Sequence, residues 1–541
     1  MKSIGYLSQG FMCLYQGLTL TNKNGDPYSR SRNFILKQFT PLINTSDNAQ
    51  LYDFILEDII VTHKETKNEN LIFIYQILTK LTSKKVNTSL TKKALSLIIE
   101  SKLPSSLKEP FYFFSICKYL LTLFNVFPLN YIKHFNTFVP VYIKGLQQTS
   151  TLFRTDSSIK EQTLSTLQML TNNTCEYLSP FINELVTVLI SYNEASSNEP
   201  IKDVLSHIAS KNVFDSNMSA VKHNKQHMNE LLLHYLNVSI TNADKLVIAD
   251  MYMDIMALFI EVLTSFQKYS TLTCDSCLKS FILKINEKQL KKIFEKMLLY
   301  VREKNDNKEY KITNCIICFE IFNTIIKVIK DIFITNYYTK YKNIEIELFR
   351  TSNSLIFKSN ELSLSNHKLG KKKQRPIDDI DSDFSYYKLS VLLLENVKMN
   401  FMYSKGELLS ETVSDLIEPI IEQFKLSENK SKMLSYYEEA IKDCVCEMFK
   451  NIKSDDLFRE FNEELLNLIK EENYVTRFLA LKMVLHLFEV LKERYLTLIS
   501  EIIPYIADTL EDSNELVQQQ AVTNIKYIER VTGEKYTSYL E

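Results

Sequence analysis

The stretch YLTLISEIIPYIADTLEDSNELVQQQAVTNIKYIERVTG (495–533) decides the fold. Leu498, Ile502, Ile503, Ile506 and Leu510 recur at helical spacing, which makes one face of the first half apolar. Val517, Ala521, Ile525 and Ile528 draw a second stripe of the same kind. A short acidic turn separates the two. In it Asp512 and Glu515 stand three residues apart, an N-terminal capping pattern with Asp in the Ser/Thr role. Gly533 falls where a left-handed C-cap stops a helix. Two amphipathic helices joined by a polar turn are expected.

Moved back 41 residues, the pattern recurs. Leu457, Phe461, Leu465 and Ile469 match the first helix, Glu471 falls at the place of Asp512, and Thr476, Ala480, Val484 and Leu487 match the second stripe. A helix–turn–helix unit repeating about every 40 residues has the HEAT period. Pro504 inside a first helix and Arg477 just after the start of a second fit that pattern, whereas Gln518 departs from it. Upstream, Pro140 and Pro180 each lie early in an apolar helix, and Pro419 opens another. Such a unit buries its stripe only against its neighbours. The expected fold class is therefore all-α, a HEAT-like helical-repeat solenoid or α–α superhelix, with an irregular helical bundle as the alternative.

Composition points the same way. The chain has 541 residues, enough for three or four domains, yet only 8 glycines and 11 prolines. Hairpins, bulges and phosphate-cradling loops need glycine's positive φ, so a β-sandwich, a propeller and a multi-domain Rossmann enzyme are excluded. The hydrophobic share of 45% supplies a large core. The net charge of −1 conceals an asymmetry: residues 401–541 hold 16 Lys/Arg against 27 Asp/Glu, and the first 400 residues are correspondingly basic. Opposite bias suits different partners for the two parts, nucleic acid among them for the basic one. Nine cysteines without a dense framework suit a reducing compartment. The start, MKSIGYLSQGFMCLYQGL, has no clean apolar core, and no stretch reaches about eighteen uninterrupted apolar residues. A soluble, intracellular chain with no membrane partner is expected.

The helical pattern breaks at 351–385, where serines and asparagines, a basic cluster and Asp378, Asp379, Asp381 and Asp383 read as a disordered basic/acidic linker. Shorter polar breaks fall at 191–200 and 211–227. The expected organisation is helical repeats over 1–224 and 225–350, the linker at 351–385, and C-terminal HEAT repeats over 386–541.

Few residues suggest chemistry. Lys371, Lys372, Lys373 and Arg375, followed by Pro376, have the form of a short nuclear localisation signal or phosphate patch. Cys274/Cys277 and Cys315/Cys318 are two CxxC pairs, the usual start of a tetrahedral zinc site. The second pair lies in a strongly apolar run, and neither has glycine nearby to build a knuckle, so buried packing is the favoured reading. His223 and His227 stand at i, i+4 with His234 beyond, but residue 224 is Asn where a metalloprotease helix needs Glu. Phosphate-loop, dinucleotide and nucleophile-elbow motifs are absent, and neither an enzyme nor a cofactor is expected. What remains is basic helix: Lys284, Lys288, Lys291, Lys292 and Lys296, then Lys327, Lys330, Lys340 and Lys342 interleaved with Tyr337, Tyr338 and Tyr341. Such a face could track an RNA backbone and stack bases, though solvated lysine faces are common.

The C-terminal half resembles the large HEAT-repeat proteins of the U3 small nucleolar ribonucleoprotein, the HEAT repeat-containing protein 1 family. The resemblance runs from FILKINEKQLKKIFEKMLLYV at 281, through LLLENVKMNFMYSKGELLSETVSDLIEPIIEQF, to the chain's last residue. It is most specific at YVTRFLALKMVLHLFEVLKERYL and in the closing G-E-x-x-x-S-Y-L. The absence of tryptophan and the lysine run of the linker depart from it. The resemblance implies a nucleolar, non-enzymatic scaffold of the small-subunit processome. Its implied partners are other processome proteins, U3 small nucleolar RNA and pre-ribosomal RNA, with a link to transcription of ribosomal genes. The alternative is a HEAT-repeat nuclear transport receptor or other protein-cargo adaptor.

Overall fold

The computed structural model describes residues 68–82, 88–193, 199–265, 271–304, 310–368, 377–404, 412–425 and 434–536, with 52–53 and 55–57 before them. Among the described residues there is no named strand, only an isolated bridge between Lys304 and Tyr310. The helices of ten residues or more are α1 (Asn68–Leu81), α2 (Thr88–Leu97), α3 (Pro110–Val126), α4 (Pro128–Thr155), α5 (Ser157–Thr174), α6 (Ile182–Ser191) and α7 (Glu199–Lys211). Then come α8 (Phe214–His223), α9 (Glu230–Asn242), α10 (Lys245–Ser265), α11 (Thr271–Ile282), α12 (Glu287–Arg302), α13 (Ile312–Ile329) and α14 (Asp331–Lys368). The last are α15 (Ile377–Ser404), α16 (Val413–Lys425), α17 (Leu434–Asn451), α18 (Asp455–Asn467), α19 (Tyr474–Leu491), α20 (Ile499–Asp508) and α21 (Glu515–Thr532).

The chain forms two compact units. The first runs through Asp250 and takes in Ser270–Phe281; the second comprises Met251–Tyr269 and Ile282–Glu541. Within the first, α1, α3, α5, α7 and α9 pack one on the next as a layer, and α4, α6 and α8 form another. Within the second, α13, α15, α17, α19 and α21 pack in succession, with α14, α16 and α18 as the companion layer. Each unit is thus an all-α stack in which alternate helices share a layer, the arrangement a helical repeat requires.

The two quoted repeats fold alike. Each first helix, α18 or α20, tightens into a 3₁₀ turn (Leu468–Lys470, Thr509–Glu511) before the chain turns into α19 or α21. Phe461, Leu465, Ile469, Ala480, Val484 and Leu487 are buried, as are Ile502, Ile506, Val517, Ala521, Ile525 and Ile528. Gly533 caps α21 at φ 74°, its N–H on the Glu529 carbonyl at 2.9 Å. The N-cap differs from expectation. Asn514, not Asp512, accepts from the Leu516 N–H at 3.0 Å, while Asp512 turns back to Arg477 of α19. Pro419 lies within α16 rather than opening it.

The glycine-poor chain places lysine where glycine is favoured. Lys330, between α13 and α14, and Lys492, after α19, both have φ 50°. Glycine is used where space demands it. A Cβ on Gly145 of α4 would stand 2.1 Å from the ring of Phe113 on α3, itself buried and stacked on Tyr142. Gly145→Ala is expected to lower the stability of the first unit by about 1–3 kcal/mol through overpacking. Thermal unfolding checks this, and an unchanged melting temperature refutes it.

The expected linker is mostly helix. α14 continues to Lys368 and α15 begins at Ile377, so only 369–376, which includes Gly370 and Pro376, lies outside the described residues. Leu355, Ile356, Leu362 and Leu364 recur through the serine-rich part, leaving no breaker before Gly370. The 211–227 break likewise holds α8 and a 3₁₀ turn at Lys225–His227. α13 is the one helix among the described residues with the length and apolar content of a membrane span, yet two-thirds of it is buried. It packs on α12, α14 and α15, as a core helix does.

Candidate nucleic-acid interface

α12 is set in place by a capping box. The Asn286 side chain accepts from the Gln289 N–H at 3.0 Å, and the Gln289 side chain accepts from the Asn286 N–H at 2.9 Å. Ile293, Phe294, Met297 and Val301 bury one face. Lys288, Lys291, Lys292 and Lys296 lie exposed on the other, alongside Glu295, Arg302 and Glu303. Lys284, just before the helix, is half-buried. Neighbouring cations are engaged: Lys279 pairs with Asp275 at 2.7 Å, and Lys311 with Glu303 at 3.3 Å.

Lys340 of α14 stands 5.0 Å over the Tyr337 ring, and Tyr337 packs 4.6 Å from Phe294 of α12. Lys342 is half-buried on α14. Lys327 and Lys330 lie exposed near the end of α13, Lys330 with its ammonium 5.8 Å from the Tyr403 ring of α15.

The stacking half of the expected interface is overturned. Tyr337, Tyr338 and Tyr341 are buried at 4%, 0% and 1% exposure. Their i, i+1, i+4 spacing puts them on the core stripe of α14, where Tyr341 meets Phe322 at 5.2 Å and donates to Asn396 at 3.0 Å. Bases cannot reach these rings. The charge is displayed and the aromatics are core.

The CxxC pairs belong to different units and all four thiols are buried. Burial pushes Cys315 up to about 12 and Cys277 and Cys318 well above the ordinary thiol value, which favours the neutral thiol over the metal-binding thiolate. Cys318 Sγ lies 3.5 Å from the Met297 carbonyl, the position of a packed core thiol. No group of three or more His, Cys, Asp or Glu suited to a metal is gathered among the described residues. His223 and His227 are exposed, and His234 meets the Ser206 hydroxyl at 2.7 Å. Lys371, Lys372, Lys373 and Arg375 lie outside the described residues.

Sequence reasoning missed a polar ladder between successive repeats of the second unit. Lys425 at the end of α16 pairs with Glu471 at 2.7 Å, and Arg477 of α19 grips Asp512 at 2.7 Å through two nitrogens. Gln518, where Arg is usual, instead donates to the Asp512 carbonyl at 2.6 Å. The signal was present in the 41-residue register, which aligns Glu471 with Asp512. Arg494 was missed as well: it donates to the carbonyls of Phe449 and Ile452, closing the end of α17, and stacks 4.3 Å over Phe458.

No protein-family model matches the chain. Human HEAT repeat-containing protein 1 is 30% identical over 144 residues, 26% of this chain and 7% of the human protein. The U3 small nucleolar RNA-associated protein 10 of Aspergillus fumigatus is 30% identical over 139 residues, 24% of this chain and 8% of its own length. The homologues are HEAT repeat-containing protein 1 and U3 small nucleolar RNA-associated protein 10. An uncharacterised Arabidopsis thaliana protein is also similar, at 29% over 190 residues, 33% of this chain and 9% of the plant protein. The matched stretch therefore spans less than a tenth of each of these relatives. Among solved structures, the karyopherin Kap121p bound to the SUMO protease Ulp1p superposes over 99% of this chain and 54% of its own. It does so at 12% identity with a TM-score of 0.44, too loose to bear on function.

Proposed function

We propose that this chain is a non-enzymatic scaffold of the small-subunit processome, supporting pre-ribosomal RNA processing and small-subunit RNA maturation, with a link to ribosomal gene transcription. The observation that carries the reading is the sequence shared with HEAT repeat-containing protein 1 and U3 small nucleolar RNA-associated protein 10, at about 30% identity over a quarter of the chain. Stacked helix pairs suit the role, because a repeat offers extended faces without needing a catalytic cleft. The lysines of α12, with Lys327, Lys330, Lys340 and Lys342, supply the RNA contact. The acidic C-terminal repeats take the protein partners. U3 small nucleolar RNA, precursor ribosomal RNA and other processome proteins are the partners, the nucleus and nucleolus the place, and Lys371, Lys372, Lys373 and Arg375 the import signal.

Affinity purification of the tagged full chain tests this. Recovery of U3 RNA together with processome proteins is the expected result. Recovery of protein cargo that a Ran-type GTPase releases, without U3 RNA, would replace the scaffold with a transport receptor.

A further inference from the structure

No further inference is drawn: the strongest candidate, the apolar groove of about 400 Å³ between α17 and α19 over Phe424, Ile441, Leu479 and Met483, carries nothing, because its rim sets Glu438, Glu439 and Glu489 against Lys442 and Lys482 and nothing in the structure shows what covers it.

Discussion

Arg477→Ala is expected to loosen the last helix pair by roughly 2–4 kcal/mol, near the cost of breaking a buried ion pair by removing one partner. The Arg477 side chain is 12% exposed and that of Asp512 8%, so little water screens the pair. Its guanidinium donates through Nε to Oδ2 and through Nη2 to Oδ1, both at 2.7 Å. Nη1 also donates to the carbonyls of Glu471 and Glu472, at 2.8 and 2.7 Å. One side chain thus ties its own turn to the turn of the next repeat. The equivalent step one repeat earlier, Lys425 with Glu471, is 38% exposed on both sides. That pair should contribute under about 1 kcal/mol, and Lys425→Ala should be close to neutral.

Because a repeat array contacts only its neighbours, the loss should stay local. Hydrogen exchange in α20 and α21 is expected to quicken by roughly 30- to 1000-fold, with the first unit unchanged. Unaltered exchange in α21 would remove the ladder from the account of stability. The pH dependence has a definite sign. Arg477 holds the Asp512 carboxyl below its ordinary value, helped by the Asn514 N–H at 2.8 Å. The contribution is therefore complete at neutral pH and is lost as pH falls through the folded value. Arg477→Ala should flatten that acid limb.

How much was legible follows from what kind of residue carried each feature. Apolar stripes are visible because their period is enforced by burial, and Val517, Ala521, Ile525 and Ile528 lie buried as their spacing required. The lysines of α12 were legible as charge. The fate of Tyr337, Tyr338 and Tyr341 was not, since tyrosine suits a stacking face and a core equally well, and only the packing of Phe294 and Phe322 decides it. Buried asparagine is less readable still. Asn396 joins Asn323 at 2.6 Å and Asn400 at 2.8 Å in a core network, but nothing in the sequence separates these from surface asparagines. The same ambiguity misplaced the cap of α21, where Asp512 and Asn514 are both competent and the Arg477 partner, 35 residues away, makes the choice.

Glu345→Gln is expected to stabilise the second unit at neutral and alkaline pH, against the usual effect of a core substitution. Glu345 sits in α14 at 0% exposure, and neither carboxyl oxygen has a hydrogen bond of ordinary geometry. Tyr338 and Tyr341 face it from its own helix and Cys444 from α17. Burial pushes its carboxyl up to about 8, and the Tyr338 hydroxyl only partly opposes this. The folded chain therefore holds Glu345 protonated at pH 7 while the unfolded chain ionises it. Folding takes up a proton, so stability is fullest below the unfolded carboxylate value of about 4.3 and falls as pH rises towards 8. The accumulated cost at pH 7 is on the order of 3 kcal/mol, and it grows until the folded group itself ionises. Glutamine keeps the shape and cannot ionise. Its advantage over the wild type should vanish near pH 4, where both side chains are neutral, and reach its full size above pH 8. Urea unfolding of both proteins across that range measures the difference directly. A constant offset would mean that Glu345 does not change charge on folding, and a destabilised variant at pH 8 would mean that the carboxylate is held by a partner.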